Sequence, residues 1–193
     1  MPAEIHLTYL LSYRGNSPGA RYLNMEKRKK TNTAGLKIFI FFVALGIAQI
    51  IYYYSQLQEK VIMHWNWSGE ADSWGPKSFM AILQVFVLLL IAGIFWAGAV
   101  SAEFPGYGRR LPNHKYWFAA ERIDQTFKII AKFYIKTGSA FLIMMILNFH
   151  TAIIENLGGS VILEYSSLDL LVVFIAYAAF QYIKTYLYFR KVR

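Results

Sequence analysis

No cysteine occurs in the 193 residues, which rules out disulfides, thiolate metal ligands and a cysteine nucleophile. Charge is scarce as well: 16% of residues are charged, against about 25% in an ordinary soluble domain. The five prolines all fall outside four long apolar runs, and no charged residue stands in the middle of any run. Hydrophobic residues make up 56% of the chain, so the sequence is built for an apolar solvent. The runs are roughly Leu36–Tyr54, Phe79–Val100, Lys132–Ile154 and Leu168–Tyr186. Each has the length, about twenty residues, that a helix needs to cross a hydrocarbon core of about 30 Å. The expected fold is all-α, an integral membrane bundle of four transmembrane helices, with no room for a large soluble domain beside it.

The charges that do occur are sorted by sign. Eighteen of the 20 Lys and Arg lie up to Lys37, between Arg109 and Lys136, or from Lys184 onward. The two remaining gaps hold only Lys60 and Lys77, together with Glu59, Glu70, Asp72, Glu155, Glu164 and Asp169, six of the 11 acidic residues. Positive charge resists translocation, so both termini and the central loop are expected to be cytoplasmic and the other two loops outside. The net charge of +9 does not point to nucleic acid, because the basic residues flank apolar runs where anionic headgroups attract them.

Three parts follow from this order. Residues 1–35 form a basic cytoplasmic segment expected to lack a fold of its own. Residues 36–157 form a membrane domain of three spans, with an outer loop at 55–78 and a cytoplasmic loop at 104–131. Residues 158–193 supply an outer loop, the fourth span and a short basic tail. Met25 followed by Glu26-Lys27-Arg28-Lys29-Lys30 reads as the natural start, which would make residues 1–24 an upstream extension. Tyr52, Tyr53 and Tyr54 suit the outer interface, and the aromatic-basic run from Tyr186 to Lys191 the inner one. Lys128, Lys132 and Lys136, spaced by four, share a helical face that reaches the headgroups. Ala44 with Ala48, and Gly93 with Ala97, are small residues four apart that are expected to mark helix contacts, and Gln49, Gln84 and Asn148 are expected to face other helices.

The loop between the first two spans concentrates the polar chemistry. It runs Val61-Ile62-Met63-His64-Trp65-Asn66-Trp67-Ser68-Gly69-Glu70-Ala71-Asp72-Ser73-Trp74-Gly75-Pro76-Lys77, alternating at its start as an extended segment does, with turns at Ser68-Gly69 and Gly75-Pro76. His64, Glu70 and Asp72 have the ligand types for a divalent cation, with His150 as a fourth donor, but the spacing matches no established metal motif and no metal or other cofactor is expected. Two readings carry more weight. The tryptophans seat the loop on the lipid interface while its polar groups satisfy its own backbone, or the aromatic, mildly acidic surface binds an extracellular peptide, a cationic one by preference.

The same string resembles a domain of unassigned function found in bacterial membrane proteins, with a His–x–Asn–x–x–Gly–Glu–x–Asp–x–Trp–Gly–x–Lys signature between two membrane helices. His64, Asn66, Gly69, Glu70, Asp72, Trp74, Gly75 and Lys77 meet every position. In the central cytoplasmic loop, Asn113, Tyr116, Trp117, Glu121 and Arg122 are similar to a second element of that family, and the likeness extends over roughly residues 36–157. The same domain opens larger immunity proteins that protect cells from a secreted sporulation-delaying toxin. The resemblance implies a multi-pass protein of the bacterial cell membrane, with toxin protection at the outer face and capture of a transcriptional repressor at the inner one. Beyond the resemblance only one further span is expected, without the second immunity domain, and Gln58-Glu59-Lys60-Val61 stands where prolines often precede the signature His.

Around the second element, Ala119, Ile123, Phe127 and Ile130 recur at helical spacing, so the third helix is expected to begin as an amphipathic surface segment. Arg109, Arg110, Lys115 and Arg122 either dock that segment on lipid or receive a cytoplasmic regulator. The leading functional expectation is a non-enzymatic membrane protein that senses or neutralises something at the outer face, its partners being the bilayer, an extracellular peptide or toxin, and a cytoplasmic regulator. A solute or ion permeation unit is the alternative, followed by a membrane enzyme using His64, Glu70, Asp72 and Lys77. Permeation is disfavoured by uncharged span centres, and the enzyme by the absence of an identifiable nucleophile.

Overall fold

Helix α1 begins well before the first apolar run, at Pro18, and continues without a break to Tyr54 in the computed structural model of the chain. That model describes residues 18–66, 68–101, 111–159 and 167–192, with side chains from residue 35 onward. At 1.5 Å per residue, the 37 residues of α1 extend for about 55 Å, so its basic first half projects beyond any single hydrocarbon core. Residues 18–35, expected to lack structure, are therefore helical. The basic stretch has few helix breakers and sits directly upstream of a nucleated apolar helix, which it prolongs at little cost. The proposed start at Met25 and the earlier residues concern a segment lying largely outside the described residues.

The remaining elements are strands β1, Lys60–Trp65, and β2, Ala71–Pro76; helix α2, Lys77–Ser101; a single helical turn α3, His114–Trp117; helix α4, Ile123–Asn156; and helix α5, Ser167–Arg190. Four helices are long and apolar enough to cross a membrane: the Gly35–Tyr54 part of α1, then α2, α4 and α5. The expected four-span bundle is present, and a two-stranded antiparallel hairpin is added where the sequence suggested only a short extended segment.

Contacts fix the directions of the helices. Along α1 and α4, Gly35 meets Ile135, Gly46 meets Ile146 and the Tyr53 ring lies 5.8 Å from His150, so these two helices run parallel. Helix α2 runs against them, with its mid-point Leu88 at Gly46, level with Ile146, and the later Gly98 at the earlier Tyr134 of α4. Their shared interior is a cluster of Phe39, Val43, Leu88, Ile91, Leu142 and Ile146, all buried. Helix α5 leans on α4, with Phe174 against Phe141 at 4.7 Å, and buries only Gln181 and Phe189.

The small residues at the helix crossings are not the expected ones. Ala44, Ala48, Gly93 and Ala97 are all exposed, and a Cβ on Gly93 would meet nothing within 4 Å. Gly46, Gly98 and Gly138 mark the close approaches instead; a Cβ on Gly138 would fall 2.6 Å from Phe95 and 2.9 Å from Phe39. Of the three amides expected between helices, Gln49 donates to the Ile146 carbonyl at 3.4 Å and Gln84 is buried. Asn148 instead bonds back to Met144 of its own helix at 3.0 Å. Lys128, Lys132 and Lys136 do lie exposed along one face of α4.

Candidate functional site

The two motifs sit at opposite ends of the bundle. At one end, the chain leaves α1, turns through Leu57 and enters the hairpin, which feeds directly into α2. Pro76 closes β2, and the first N–H of α2, from Lys77, is satisfied by the Glu59 carbonyl at 3.0 Å. The Lys77 ammonium reaches back to the Leu57 carbonyl at 3.1 Å and the Glu59 carboxylate at 3.0 Å, and lies 5.1 Å from the centre of the Tyr54 ring. One side chain thus ties the end of α1, the start of β1 and the start of α2.

The hairpin turn is built by Asn66. Its side-chain oxygen accepts the N–H groups of Ser68 and Glu70, both at 2.9 Å, and its amide donates to the Glu70 carboxylate at 3.1 Å. An Asx turn of this kind replaces a backbone turn with a side chain. Gly69 adopts φ 79°, which a residue with a Cβ tolerates poorly, and its N–H bonds to the Asn66 carbonyl at 3.0 Å. Gly75 pairs with Val61, and a Cβ there would approach Met63 to 3.1 Å. Val61, almost fully buried, roots the hairpin in a cluster with Leu57, Met80 and Ile153.

A second tie comes from the end of α4. Asn156 accepts the Ile62 N–H at 2.6 Å and donates to the Ile62 carbonyl at 3.2 Å, so both polar groups of a free strand edge are met by one side chain. Helix α4 then stops at Gly158, φ 73°, whose N–H bonds to the Glu155 carbonyl while that of Gly159 bonds to Ile154.

His64 and Asp72 face each other across the strands, with Nδ1 2.6 Å from Oδ1. With the carboxylate ionised, Nδ1 donates and the ring is oriented. Both side chains stand in the open, 67% and 43% exposed, and Trp74 is 51% exposed. Glu70 turns to Asn66 and His150 packs on Tyr53, and no group of three or more metal-ligating side chains gathers among the described residues. Trp67 lies outside the described residues.

At the opposite end, the second motif grips the last turn of α5. The final carbonyls of a helix lack intrahelical partners. Trp117 donates its indole N–H to the Phe189 carbonyl at 2.8 Å, and the Asn113 amide donates to the carbonyls of Phe189 at 3.2 Å and Arg190 at 3.0 Å. Asn113 holds φ 53°, the left-handed region that Asn tolerates better than most residues. The Trp117 carbonyl accepts the Thr126 hydroxyl at 2.6 Å, and Gln125 donates to the Tyr188 hydroxyl at 2.8 Å. Arg122 covers the Tyr116 ring at 4.0 Å. Glu121 is exposed. The third membrane helix does begin ahead of its apolar run, as expected, but at Ile123 and not Ala119, after turns over Phe118–Arg122 that follow α3. Arg109 and Arg110 lie outside the described residues.

Sequence reasoning missed Asn156 and the target of the Asn113–Trp117 pair. The Leu157-Gly158-Gly159 string signals a helix end, but nothing local tells which strand the preceding asparagine meets.

Residues 40–90 match the model of a family described as Domain of unknown function (DUF1648). The match takes in the apolar part of α1 from Ile40, the whole hairpin and the first half of α2, so it is narrower than residues 36–157 and stops short of the Asn113–Arg122 element. No curated protein and no solved structure matches the chain.

Proposed function

We propose that this chain is a non-enzymatic protein of a bacterial cell membrane whose hairpin end faces outward and recognises an extracellular peptide, in the manner of the immunity proteins that its loop signature resembles. The observation that carries the reading is a division of labour within the signature. Asn66, Gly69, Gly75 and Lys77 are committed to turn, strand and helix junctions, whereas His64, Asp72 and Trp74 stand on that frame in the open. A rigid scaffold presenting exposed polar and aromatic groups is how binding loops are built. The carboxylates of Glu70 and Asp72 favour a cationic peptide.

Two features weigh against the alternatives. The space between α1, α2 and α4 is filled by Phe39, Val43, Leu88, Ile91, Leu142 and Ile146, which offers a solute or ion no polar path. The His64–Asp72 pair could move a proton, but an acid–base pair needs a reacting group bonded to it, and among the described residues neither side chain hydrogen-bonds to a nucleophile such as the neighbouring Ser73. At the other end Asn113 and Trp117 are occupied with α5, and Lys115, Glu121 and Lys128 are among the exposed described groups a cytoplasmic regulator would meet.

The test is survival of sensitive cells challenged with the sporulation-delaying toxin while expressing the full chain, His64→Ala, Asp72→Asn or Trp74→Ala. The proposal expects protection by the unaltered chain, lost in the three variants at equal membrane abundance. Absence of protection by the unaltered chain would refute the immunity reading, and equal protection by all three variants would remove the hairpin from it.

A further inference from the structure

The hairpin has two faces, and the one turned from the core borders a cleft. Val61 goes to the interior, so its neighbours Lys60 and Ile62 point to the other side, and Trp74, opposite Ile62, joins them. The last turn of α4 brings Glu155 and Asn156 against this face. Together with Gln58 they enclose an open cleft of about 550 Å³, within the size range of small-molecule sites.

Its charges are uncommitted. Elsewhere at this end the Lys77 ammonium pairs with the Glu59 carboxylate, and Asp72 is hydrogen-bonded to His64. Lys60 and Glu155, both exposed, form no ion pair among the described residues, although they line one cavity together with Trp74. A site with one ammonium, one carboxylate, one indole face and the Gln58 amide is complementary to a small zwitterion. Such a ligand carries an oxyanion for Lys60 and Gln58 and a cation for Glu155 and Trp74.

Position narrows the class. Glu155 and Asn156 are the final residues of a helix that crosses the membrane, and the exposed Tyr52 and Tyr54 end α1 at the same side of the bundle. Aromatic rings at span ends mark the headgroup level, where the most abundant zwitterions are phospholipid head groups. A primary ammonium can donate hydrogen bonds to Glu155, which a quaternary one cannot, and a head group without a cation would meet Glu155 unfavourably.

We propose that the cleft formed by Lys60, Trp74, Glu155 and Gln58 binds the phosphoethanolamine head group of a membrane phospholipid, phosphate toward Lys60 and ammonium toward Glu155. The site would anchor the hairpin to the bilayer surface beside the peptide-facing residues, and of its lining only Trp74 belongs to the loop signature. It stands whether or not the chain confers toxin protection.

The test uses the detergent-solubilised full chain titrated with short-chain phosphatidylethanolamine, phosphatidylcholine and phosphatidylglycerol, and with soluble O-phosphoethanolamine. Tryptophan fluorescence and the thermal unfolding midpoint are the readouts. The ethanolamine lipid is expected to bind at least tenfold more tightly than the other two. Lys60→Gln and Glu155→Gln are each expected to abolish that preference, and Lys136→Gln, exposed on α4 far from the cleft, to keep it. Equal binding of the three lipids would overturn the proposal on the unaltered chain alone, without reliance on any variant. A preference that survives both cleft substitutions would overturn the assignment to this cleft. Equally tight binding of O-phosphoethanolamine would overturn the lipid as the source of the head group.

Discussion

Asn156, the last residue of α4, holds the backbone of Ile62 by both of its polar groups, at 2.6 and 3.2 Å, across 94 positions of sequence. A helix end thereby acts as a third strand for a hairpin that would otherwise be marginal, since two strands alone rarely persist in water. Replacement by Ala leaves the Ile62 N–H and carbonyl to weaker partners, and each such bond is worth about 1 kcal/mol, more where the group is left unsatisfied. Asn156→Ala is expected to cost about 1–3 kcal/mol and to accelerate amide exchange at Ile62 and its neighbours without disturbing α1–α2 packing. Hydrogen exchange of the solubilised chain checks this; unchanged exchange at Ile62 would show the clamp to be idle.

The Asn113–Trp117 grip should fix α5 in place, because that helix buries little else. Trp117→Phe keeps a ring but removes the N–H, leaving a buried carbonyl short of a partner, at about 1–2 kcal/mol. Asn113→Gly keeps the left-handed backbone and removes the side-chain bonds; Asn113→Ala removes both and should be the more damaging of the two. Limited proteolysis after residue 190 and thermal unfolding would rank the three, and Ala as mild as Gly would mean the backbone conformation of Asn113 carries no strain.

Glycine position, more than glycine content, should control packing. Gly138→Ala forces a methyl to within 2.6 Å of Phe95 and is expected to destabilise by about 1–3 kcal/mol. Gly93→Ala faces open space and should change stability by no more than about 0.5 kcal/mol. Unfolding midpoints of the two variants in one detergent test the contrast, and similar losses for both would contradict the helix arrangement.

The reversal of expectation between these glycines shows where the sequence is readable and where it is not. Span number and approximate limits follow from apolar length, because hydrocarbon thickness imposes that length whatever the helices touch. Which side of each helix faces inward does not follow, since lipid is as apolar as the interior and Leu or Ile serves both faces. Ala44 and Gly93 satisfied a spacing rule but lie outside, whereas Gly46 and Gly138, each without a small residue four away in the expected pattern, lie at the crossings. The loop signature was visible residue by residue. Its division into scaffold and exposed groups was not, because the roles of Lys77 and Asn66 depend on carbonyls and turns that only the folded hairpin creates.

A chain without cysteine gives a clean way to test the membrane arrangement from which the outward-facing hairpin follows. Ser73→Cys places a single thiol on the exposed hairpin, and Lys115→Cys a single exposed thiol at the opposite end. Intact cells treated with a membrane-impermeant maleimide should label Ser73→Cys at once, and Lys115→Cys only after the membrane is permeabilised. Labelling of Lys115→Cys in intact cells, with Ser73→Cys protected, would contradict the orientation and with it the recognition of an extracellular peptide by His64, Asp72 and Trp74.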